Sequence, residues 1–545
     1  MRRQRTTSRQ QSPGAGSTGR RRLATGGAAL MLLAGLATPA AGAIAAPAAT
    51  GPASPSTPRT ITWAPCEEVP AIQCGKLTLP VDWRKPGGAT FELALAKRPA
   101  DEPAASKGPL FINPGGPGGS GVNMTFTAGT LFSPEIRRTF DIIGIDPRGV
   151  ARSHPVVCSA EAFARPGETV LPRTKAEYTA LVRFNRQLAA DCRQHTGPLY
   201  DHVDSVSVAR DVDAVRAAIG ADKLSWYGAS YGTLMGQMYA ELFPHRIRSM
   251  VNDGNMDHSL GTWRFLLSES SFAEDSFQQF VTWCGKSANC ALHGQDVPKV
   301  YAELLAKADA GTLVDPADGT KLSTWDLLDI TQFFFSRPRW VQLGELLSSL
   351  HTGTPSAAVR TARADLAATL QAVVPAAERS AAAVELVEDV RPQFCQDWSL
   401  PVRGFQELNA LYGASLKVAP NMRTSVLALQ SMTQCIGWPG KVNNPQHKLD
   451  VKGAPTILMM NGLHDPATGY SWAVNARRQL GNAVLVTYEG SGHVTYSRTA
   501  CTRAAVDNYF LDLTVPAAGT RCAANDPALA PSARTQESPE LTSRW

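Results

Sequence analysis

Short apolar runs alternate with helical patterns along the first half of the chain. The runs lie at residues 109–113, 140–145, 223–227 and 247–252. Continuous apolar runs of this length are typical of strands that are buried on both faces of a parallel sheet. Residues 205–219 carry valine and isoleucine at helical spacing between two of these runs. The alternation predicts an α/β fold with a mostly parallel central sheet and helices on both of its faces.

The rhythm changes in the middle of the chain, where helical spacing dominates and strand-like runs nearly vanish. The helices predicted there span residues 297–309, 324–335, 356–372, 376–388 and 404–412. Strand-like runs return at 455–462 and 483–490. We therefore expect one α/β domain that is interrupted by a helical insertion. The predicted boundaries are a core at 61–258 and 446–525, an insertion at 259–445 and a polar tail at 526–545.

The first 43 residues have the three parts of an export signal. A basic segment ends in Arg20-Arg21-Arg22, a stretch rich in Ala, Gly and Leu follows, and Ala41-Gly42-Ala43 suits a cleavage site. The paired arginines resemble a twin-arginine signal, although Leu23-Ala24 match that pattern poorly. A membrane anchor is the alternative, but Gly and Pro dilute the stretch, and a span needs ~20 strongly apolar residues. We expect a secreted protein with a leader or propeptide at 44–60 and no membrane span after signal cleavage.

The net charge of the whole chain conceals an uneven distribution of charged residues. The formal net charge is +6, but residues 1–43 contain seven arginines and no acidic residue, so the rest of the chain carries −1. Nucleic-acid binding relies on concentrated positive charge. We therefore expect no nucleic-acid partner. The whole chain is 43% hydrophobic and 18% charged, which is the composition of a globular protein rather than a disordered or fibrous one.

Ten cysteines are spread through the chain, and none of them forms a C-x-x-C motif. The spacing argues against a zinc ribbon and a thioredoxin-like redox site. In an exported protein the cysteines are better interpreted as disulfides. Pairing of near neighbours is the simplest arrangement, although sequence alone does not prove it: Cys66 with Cys74, Cys158 with Cys192, Cys284 with Cys290, Cys395 with Cys435, and Cys501 with Cys522.

One glycine-containing turn has the pattern of a catalytic nucleophile. Gly228-Ala229-Ser230-Tyr231-Gly232 has the form G-x-S-x-G and lies between a predicted strand and a predicted helix. In a nucleophile elbow the small flanking residues allow close backbone approach, and the serine hydroxyl is exposed above the sheet. The alternative is a glycine-rich helix start with a capping serine. The flanking elements favour Ser230 as the nucleophile.

A serine nucleophile needs a base, and the base needs a carboxylate that orients it. In folds with such an elbow the chain order is Ser, acid, His. Asp465 and His493 each follow a predicted strand in this order. We expect His493 to accept the Ser230 proton and Asp465 to hold the imidazole tautomer. Asp253, at the end of an earlier strand, is the alternative acid. The remaining histidines of note are expected at the surface or in the core: His154, His245, His258 and His464.

The oxyanion of an acyl-transfer intermediate requires two backbone N–H donors. Tyr231, the residue after the nucleophile, is expected to supply one. The second is expected from Gly115 or Gly116 in the glycine-rich loop at 113–121, since its prolines cannot donate. A flexible turn is the alternative, and a phosphate loop is disfavoured because G-K-[ST] is absent. This chemistry needs no metal and no organic cofactor.

Five motifs extend the pattern beyond the triad: NPGGPGGSG, DPRGVARS, YGASYG, NGLHDPATGYSWA and GSGHVTYSRTAC. They are similar to those of the secreted tripeptidyl aminopeptidases of actinobacteria, which are α/β-hydrolases related to proline iminopeptidases. The resemblance covers most of residues 61–525 and is weakest in the helical insertion. It implies an α/β-hydrolase fold with Ser230, Asp465 and His493 as the triad and residues 259–445 as a lid. It also implies release of short peptides, namely tripeptides, from the N-termini of peptides or proteins.

An enzyme that acts on a free N-terminus needs a carboxylate for the substrate ammonium. The lid acids to test as candidates are Glu269, Glu274, Asp275 and Asp397, although a solvated helix face is the favoured interpretation for any one of them. Two other functions keep the same fold. A secreted carboxylesterase or lipase-like hydrolase would use the same triad, and a catalytically silent hydrolase fold would only bind. The sequence makes no prediction of the oligomeric state.

Overall fold

The computed structural model describes residues 60–167, 169–356, 385–525 and 527. The export signal and nearly all of the leader and polar tail lie outside the described residues. The same holds for most of the helix predicted at 356–372. Of the helices in the described part of the chain, none combines the length and apolarity that a membrane crossing requires.

A mostly parallel sheet runs through the described part of the chain. Ten strands form it, in the order β1-β2-β3-β5-β4-β7-β8-β10-β11-β12, and β6 pairs with β9 separately. The strands are β1 Ala64–Pro65, β2 Gln73–Pro80, β3 Thr90–Arg98, β4 Pro109–Asn113, β5 Asp141–Ile145, β6 Val157–Ser159, β7 Leu224–Ala229, β8 Ile247–Asp253, β9 Leu386–Glu388, β10 Ile457–His464, β11 Ala483–Ser491 and β12 Arg521–Cys522. Pairing is antiparallel from β1 to β5 across β2 and β3 and parallel from β5 to β12. This confirms the predicted fold class.

Helices cover both faces of the sheet. They are α1 Gly121–Phe126, α2 Ala128–Leu131, α3 Pro134–Thr139, α4 Ala160–Phe163, α5 Lys175–Thr196, α6 Ser205–Ala218, α7 Tyr231–Leu242, α8 Thr262–Lys286, α9 Val297–Asp309, α10 Thr324–Ser336, α11 Trp340–Thr352, α12 Arg391–Asp397, α13 Phe405–Val418, α14 Val426–Thr433, α15 Tyr470–Leu480 and α16 Ala500–Asp512. Short 3₁₀ turns lie at Pro103–Ala105, Gly197–Asp201 and Pro244–Arg246.

Alternation along the central strands explains the two layers of helices. Phe111 packs into one apolar core with α6, α7 and α15, whereas its neighbour Ile112 packs into the opposite core with α1, α3 and α16. Successive side chains of a strand point to opposite faces, so a strand that is apolar throughout must be covered twice. Both faces of the sheet are therefore buried, as the continuous apolar runs predicted.

The middle of the chain folds as a helical layer with its own apolar core. This core takes residues from α8, α9, α10 and α11. Helices α9 and α10 confirm the predictions at 297–309 and 324–335 to within one residue. The prediction of helix at 376–388 is wrong at its end, because Leu386–Glu388 form strand β9. Val387 pairs with Cys158 of β6, and this distant partner overrides the local helical spacing.

Disulfide bonds join all ten cysteines, each of which lies in the described part of the chain. The pairs are Cys66–Cys74, Cys158–Cys192, Cys284–Cys290, Cys395–Cys435 and Cys501–Cys522. The pairing of near neighbours is therefore confirmed. None of the bonds links the apolar core of the helical layer to the sheet strands, so contacts other than disulfides must position that layer over the sheet.

Candidate active site

Ser230 lies at a strained turn between strand β7 and helix α7. Its φ of 54° is in the left-handed region, which non-glycine residues rarely adopt. The Ser230 N–H donates to the Asp253 carbonyl at 2.9 Å, which fixes the turn against the end of β8. A Cβ at Gly228 would clash with the Gly232 backbone, so the turn requires its glycines. The Ser230 side chain makes no capping hydrogen bond to α7, which removes the interpretation of Ser230 as a capping serine.

Asp465 and His493 form a hydrogen-bonded pair beyond the ends of β10 and β11. His493 Nδ1 lies 2.9 Å from Asp465 Oδ2 and 3.0 Å from Oδ1. The Asp465 side chain is fully buried, and the His493 side chain keeps 18% of its surface exposed. Ala467 N–H and Thr468 N–H each donate to Asp465 Oδ1 at 2.9 Å. The carboxylate is thus held from its own loop and directed at the imidazole.

The alternative acid, Asp253, has a different set of partners. Its carboxylate accepts the backbone N–H groups of Thr495 and Tyr496, the Thr495 hydroxyl and the Tyr227 hydroxyl, at 2.8–3.1 Å. Burial raises the pKa of Asp253 above its usual range, and these donors act in the opposite direction. Asp253 therefore holds the backbone that follows His493, while Asp465 contacts the imidazole itself.

Ser230 and His493 both lie close to the turn after β8. Gly254 follows the Asp253 carbonyl that binds Ser230 N–H, and a Cβ at Gly254 would lie 3.1 Å from His493 Cε1. Between these two described residues, the structure records no hydrogen bond from the Ser230 hydroxyl to the His493 ring. Hydrogen bonds of catalytic pairs are often long without substrate and tighten when substrate binds.

The glycine-rich loop after β4 packs directly on the elbow. An ideal Cβ at Gly115 would lie 2.7 Å from Tyr231 N and 2.9 Å from Ser230 Cβ, so only glycine fits there. The Gly115 N–H donates to Asn113 Oδ1 at 2.8 Å and is therefore already used. The Gly116 N–H has no acceptor among the described residues. Of the two glycines that the sequence left open, Gly116 is therefore the better candidate for the second N–H donor to the oxyanion.

A buried carboxylate holds the same loop in place. Asp146, at the end of β5, accepts the Ser120 hydroxyl and the Val122 N–H, and the Arg152 N–H donates to its other oxygen at 3.1 Å. Burial raises the pKa of Asp146 above its usual range. The DPRG motif thus anchors the start of α1, a role that sequence analysis did not assign to it.

Both carboxylate oxygens of Glu274, one of the four predicted amine-binding acids, accept hydrogen bonds from the protein. The backbone N–H groups of Asn421 and Met422 each donate to its Oε2 at 3.0 Å. Asn421 Nδ2 donates to Oε1 at 2.6 Å, and Gln278 Nε2 donates to the same oxygen at 2.9 Å. Glu274 therefore ties α8 to the segment before α14.

The carboxylate of Asp397, at the boundary between the helical layer and the core, also accepts several hydrogen bonds from the protein. Ser205 donates its N–H and its hydroxyl, Asn444 donates its amide, and the Tyr231 hydroxyl donates at 2.8 Å. Burial raises the pKa of Asp397 to about 7. Through Tyr231, this carboxylate supports the residue that is expected to donate to the oxyanion.

The other two predicted acids lie beside the acid loop. Glu269 is 4% exposed and accepts one hydrogen bond, from the Ser425 hydroxyl at 3.1 Å. Burial raises the pKa of Glu269 well above its usual range, and the charge of Asp465 acts in the same direction. Asp275 is more exposed, and its Oδ2 lies 2.8 Å from His464 Nδ1. Of the four acids, these two accept the fewest hydrogen bonds from the protein.

Two further residues of the site gave no clear signal in the sequence. The Thr468 hydroxyl lies 3.1 Å from Asp465 Oδ2 and 3.2 Å from His493 Nδ1. The Arg498 guanidinium donates to the His493 carbonyl at 2.9 Å. Threonine and arginine occur throughout the chain, so only their position in the fold identifies these two.

The described residues contain one close group of potential metal ligands, formed by Cys158, Cys192 and Asp389. The two cysteines form a disulfide with each other, so neither offers the thiolate that a metal would need. This group lies apart from the predicted triad, and it supplies no argument for a metal centre.

A cavity of about 900 Å³ lies between the segment before α5 and the helical layer. None of the predicted site residues lines it. Its wall includes Thr424, which precedes the Ser425 that binds Glu269. The lining residues are Thr169, Val170, Leu171, Arg173, Ala308, Asp309, Ser323, Thr324, Trp325, Leu328, Tyr412, Leu416, Arg423 and Thr424.

Comparison with known proteins agrees with this geometry. The model of the α/β hydrolase fold matches residues 108–287, and the model of the TAP-like protein matches residues 421–522. "Serine protease Hip1" of Mycobacterium tuberculosis is 30% identical over 86% of this chain and 92% of its own. "Tripeptidyl aminopeptidase" of Streptomyces coelicolor is 29% identical over 83% of each chain. "Carboxylesterase B" of Mycobacterium tuberculosis is 31% identical over 90% of this chain and 96% of its own.

A mostly parallel sheet with a serine at a strained strand-to-helix turn defines the class of α/β-hydrolases. The chain belongs to the α/β-hydrolase family that contains these serine proteases and tripeptidyl aminopeptidases. It is thus a hydrolase, and its protease and aminopeptidase relatives support a serine peptidase. The predicted resemblance is confirmed.

Proposed function

We propose that the protein is a secreted serine exopeptidase that releases short peptides, namely tripeptides, from the N-termini of peptides and proteins. The observation that carries this proposal is the hydrogen-bonded pair of the buried Asp465 and the partly exposed His493, together with Ser230, whose hydroxyl is not used for capping. The tripeptidyl aminopeptidase relative supports the choice of substrate.

The proposed reaction proceeds through an acyl-enzyme. Ser230 Oγ attacks the scissile carbonyl while His493 takes its proton, and Asp465 holds the imidazole tautomer and stabilises the imidazolium. The Gly116 and Tyr231 N–H groups donate to the oxyanion that forms. His493 then gives its proton to the leaving amine. Water, activated by His493, hydrolyses the Ser230 ester and releases the peptide.

The substrate ammonium is proposed to pair with Glu269, with Asp275 as the second candidate. Glu269 has a single protein donor, and it lies near Asp465. A buried carboxyl gains more from a cation than a solvated one does, because the low-dielectric surroundings screen the charge less. Glu274 and Asp397 are less suitable because protein donors occupy their oxygens.

Three variants test the amine site. Glu269→Gln is expected to raise KM for a free-amine tripeptide anilide about 10-fold or more and to leave an N-blocked substrate unaffected. Asp275→Asn measures the second candidate in the same assay. Glu274→Gln serves as the matched control on the same helix, and we expect it to lower Tm without a selective change in KM. An unchanged KM in both Glu269→Gln and Asp275→Asn would remove both acids from the proposal.

A carboxylesterase is the second candidate function, and the relative named "Carboxylesterase B" favours it. The triad does not separate the two, since both reactions pass through an acyl-enzyme. The two functions can be separated by comparing turnover of three substrates: a free-amine tripeptide anilide, its N-blocked form and a short-chain nitrophenyl ester. Loss of activity on blocking supports the exopeptidase, whereas equal turnover of free and blocked peptides, with faster ester hydrolysis, supports the esterase.

Export is part of the proposal and has its own support. The protein has five disulfides, and such bonds are typical of proteins in oxidising compartments and rare in the cytosol. The N-terminal pattern at 1–43 is that of an export signal. Fractionation of expressing cells with N-terminal sequencing of the product tests it: cleavage near residue 43 and recovery outside the cell are expected. An uncleaved, cell-retained product would contradict export.

A further inference from the structure

The loop that carries His493 has an unusual backbone. Gly492 has a φ of 108°, and Val494 has a φ of 63°. A β-branched residue rarely adopts the left-handed region. Such a conformation costs of order 1–3 kcal/mol and persists only when surrounding contacts hold it. The imidazole therefore depends on whatever fixes the backbone on either side of it.

Two side chains of opposite charge fix this backbone. Asp253 accepts the N–H groups of Thr495 and Tyr496 at 2.8–2.9 Å. On the carbonyl side, Arg498 Nε donates to the Val494 carbonyl at 3.0 Å. Its Nη2 donates to the His493 carbonyl at 2.9 Å. The carbonyls on both sides of the strained Val494 φ angle are thus held by one guanidinium.

The same guanidinium also reaches the helical layer. Arg498 Nη2 donates to the carbonyl of Ser336, the last residue of α10, at 3.2 Å. That carbonyl also accepts the His493 N–H at 2.8 Å. One turn earlier on α10, Gln332 Nε2 lies 3.4 Å from the Pro466 carbonyl, directly after Asp465. One face of α10 therefore contacts the loops of both the predicted base and the predicted acid.

Arg498 has no ion-pair partner among the carboxylates of the described residues. It is partly buried, and burial lowers the pKa of its guanidinium. Carbonyl oxygens satisfy it instead, and a planar guanidinium with five N–H donors suits several converging carbonyls better than an ammonium does. A purely electrostatic ion pair is thus not the role of this side chain.

We propose that Arg498 is a positioning residue that couples helix α10 of the helical layer to the base His493. The backbone of His493 is held jointly by Ser336 and Arg498, so the position of α10 determines the position of the imidazole. The inference rests on the proposed Ser230–His493–Asp465 triad. It assigns to the helical layer a part in orienting the base.

Arg498→Met and Arg498→Lys test the proposal, with Arg503→Met as a control from the same segment. Arg503 stacks on Tyr496 and makes no contact with the His493 carbonyl. kcat and KM are measured on the substrate that the wild type prefers, together with the rate of Ser230 labelling by a fluorophosphonate. Every variant is assayed well below its own Tm, so that unfolding does not contribute.

For Arg498→Met we expect kcat and the labelling rate to fall about 30-fold while KM changes less than about 2-fold, because a small displacement of the base affects chemistry more than binding. Arg498→Lys should recover part of the loss, and Arg503→Met should stay within about 2-fold of wild type. An Arg498→Met enzyme with wild-type kcat, or with a change in KM alone, would overturn the inference. Absence of labelling in the wild type would instead overturn the proposed triad.

Discussion

The ends of strands β8 and β10 carry two buried aspartates that differ in what they hold. Asp253 and Asp465 lie at the same edge of the sheet, on neighbouring parallel strands. Both accept hydrogen bonds from the segment after β11. Asp465 binds the His493 imidazole, and Asp253 binds the backbone of Thr495 and Tyr496.

This difference shows that a position at the end of a strand does not by itself determine what a carboxylate binds. The loop of Asp465 folds back, so that two of its own N–H groups donate to Oδ1, while the imidazole Nδ1 lies within 3.0 Å of both oxygens. The donors to Asp253 come from elsewhere and surround it. Asp465 contacts the imidazole of the proposed base, and Asp253 holds the backbone that follows it.

Asp465→Asn should produce the largest loss of activity. An amide in place of the carboxylate favours the wrong imidazole tautomer, and kcat is expected to fall about 10⁴-fold. The free energy of unfolding should change little compared with this loss of activity. Steady-state kinetics and denaturant titration on one preparation check both. A loss below about 10-fold would mean that another group orients His493.

Asp253→Asn should reduce stability more, and activity less, than Asp465→Asn does. The amide cannot accept from all of the donors that the carboxylate satisfies, and each unpaired buried donor costs about 1–3 kcal/mol. We expect the unfolding free energy to fall by about 2–4 kcal/mol and kcat by about 10–100-fold as the His493 loop shifts. A 10⁴-fold loss of kcat in a fully stable variant would instead identify Asp253 as the acid.

Thr468→Val should give a smaller loss at the Asp465 end. The hydroxyl contacts both the carboxylate and the imidazole, and a hydrogen bond of this kind contributes about 1 kcal/mol. kcat is expected to fall about 3- to 10-fold with KM unchanged. An unaltered kcat would show that the backbone N–H groups alone fix the acid.

Thr495→Val is the matched deletion at the Asp253 end and should have the smallest effect on activity. Its hydroxyl donates to Asp253 Oδ1 at 2.9 Å. We expect the unfolding free energy to fall by about 1 kcal/mol while kcat stays within about 2-fold of wild type. Thermal denaturation and kinetics of Thr495→Val, measured alongside those of Thr468→Val, make the comparison. Equal losses of kcat in the two variants would remove the distinction between the two strand ends.

Periodicity predicted the elements whose contacts are local or uniformly apolar. Strand β4 and helix α9 lie where the pattern placed them, because a strand apolar on both faces and an amphipathic helix each leave a clear signal. Strand β9 was missed, since its structure depends on pairing with β6, more than two hundred residues earlier. The long helix α8, which carries Glu269, was not singled out either.

The motifs predicted which residues come together at the site, but the partners of each side chain emerged only from the fold. Asp465 and His493 meet as their strand-end positions indicated. The sequence left Gly115 and Gly116 equivalent, and only the Asn113 side chain separates them. Asp397 and Glu274 were candidate substrate ligands because most of their protein donors lie far away in the chain. Composition cannot reveal such pairings.

The most direct test is to treat the purified protein with a fluorophosphonate and map the adduct by peptide mass spectrometry, in wild type and in Asp465→Asn. The account predicts one adduct, on Ser230, that forms rapidly in the wild type and much more slowly in the variant. No adduct, or an adduct on another residue, would contradict the assignment of Ser230 as a nucleophile activated by His493 and Asp465.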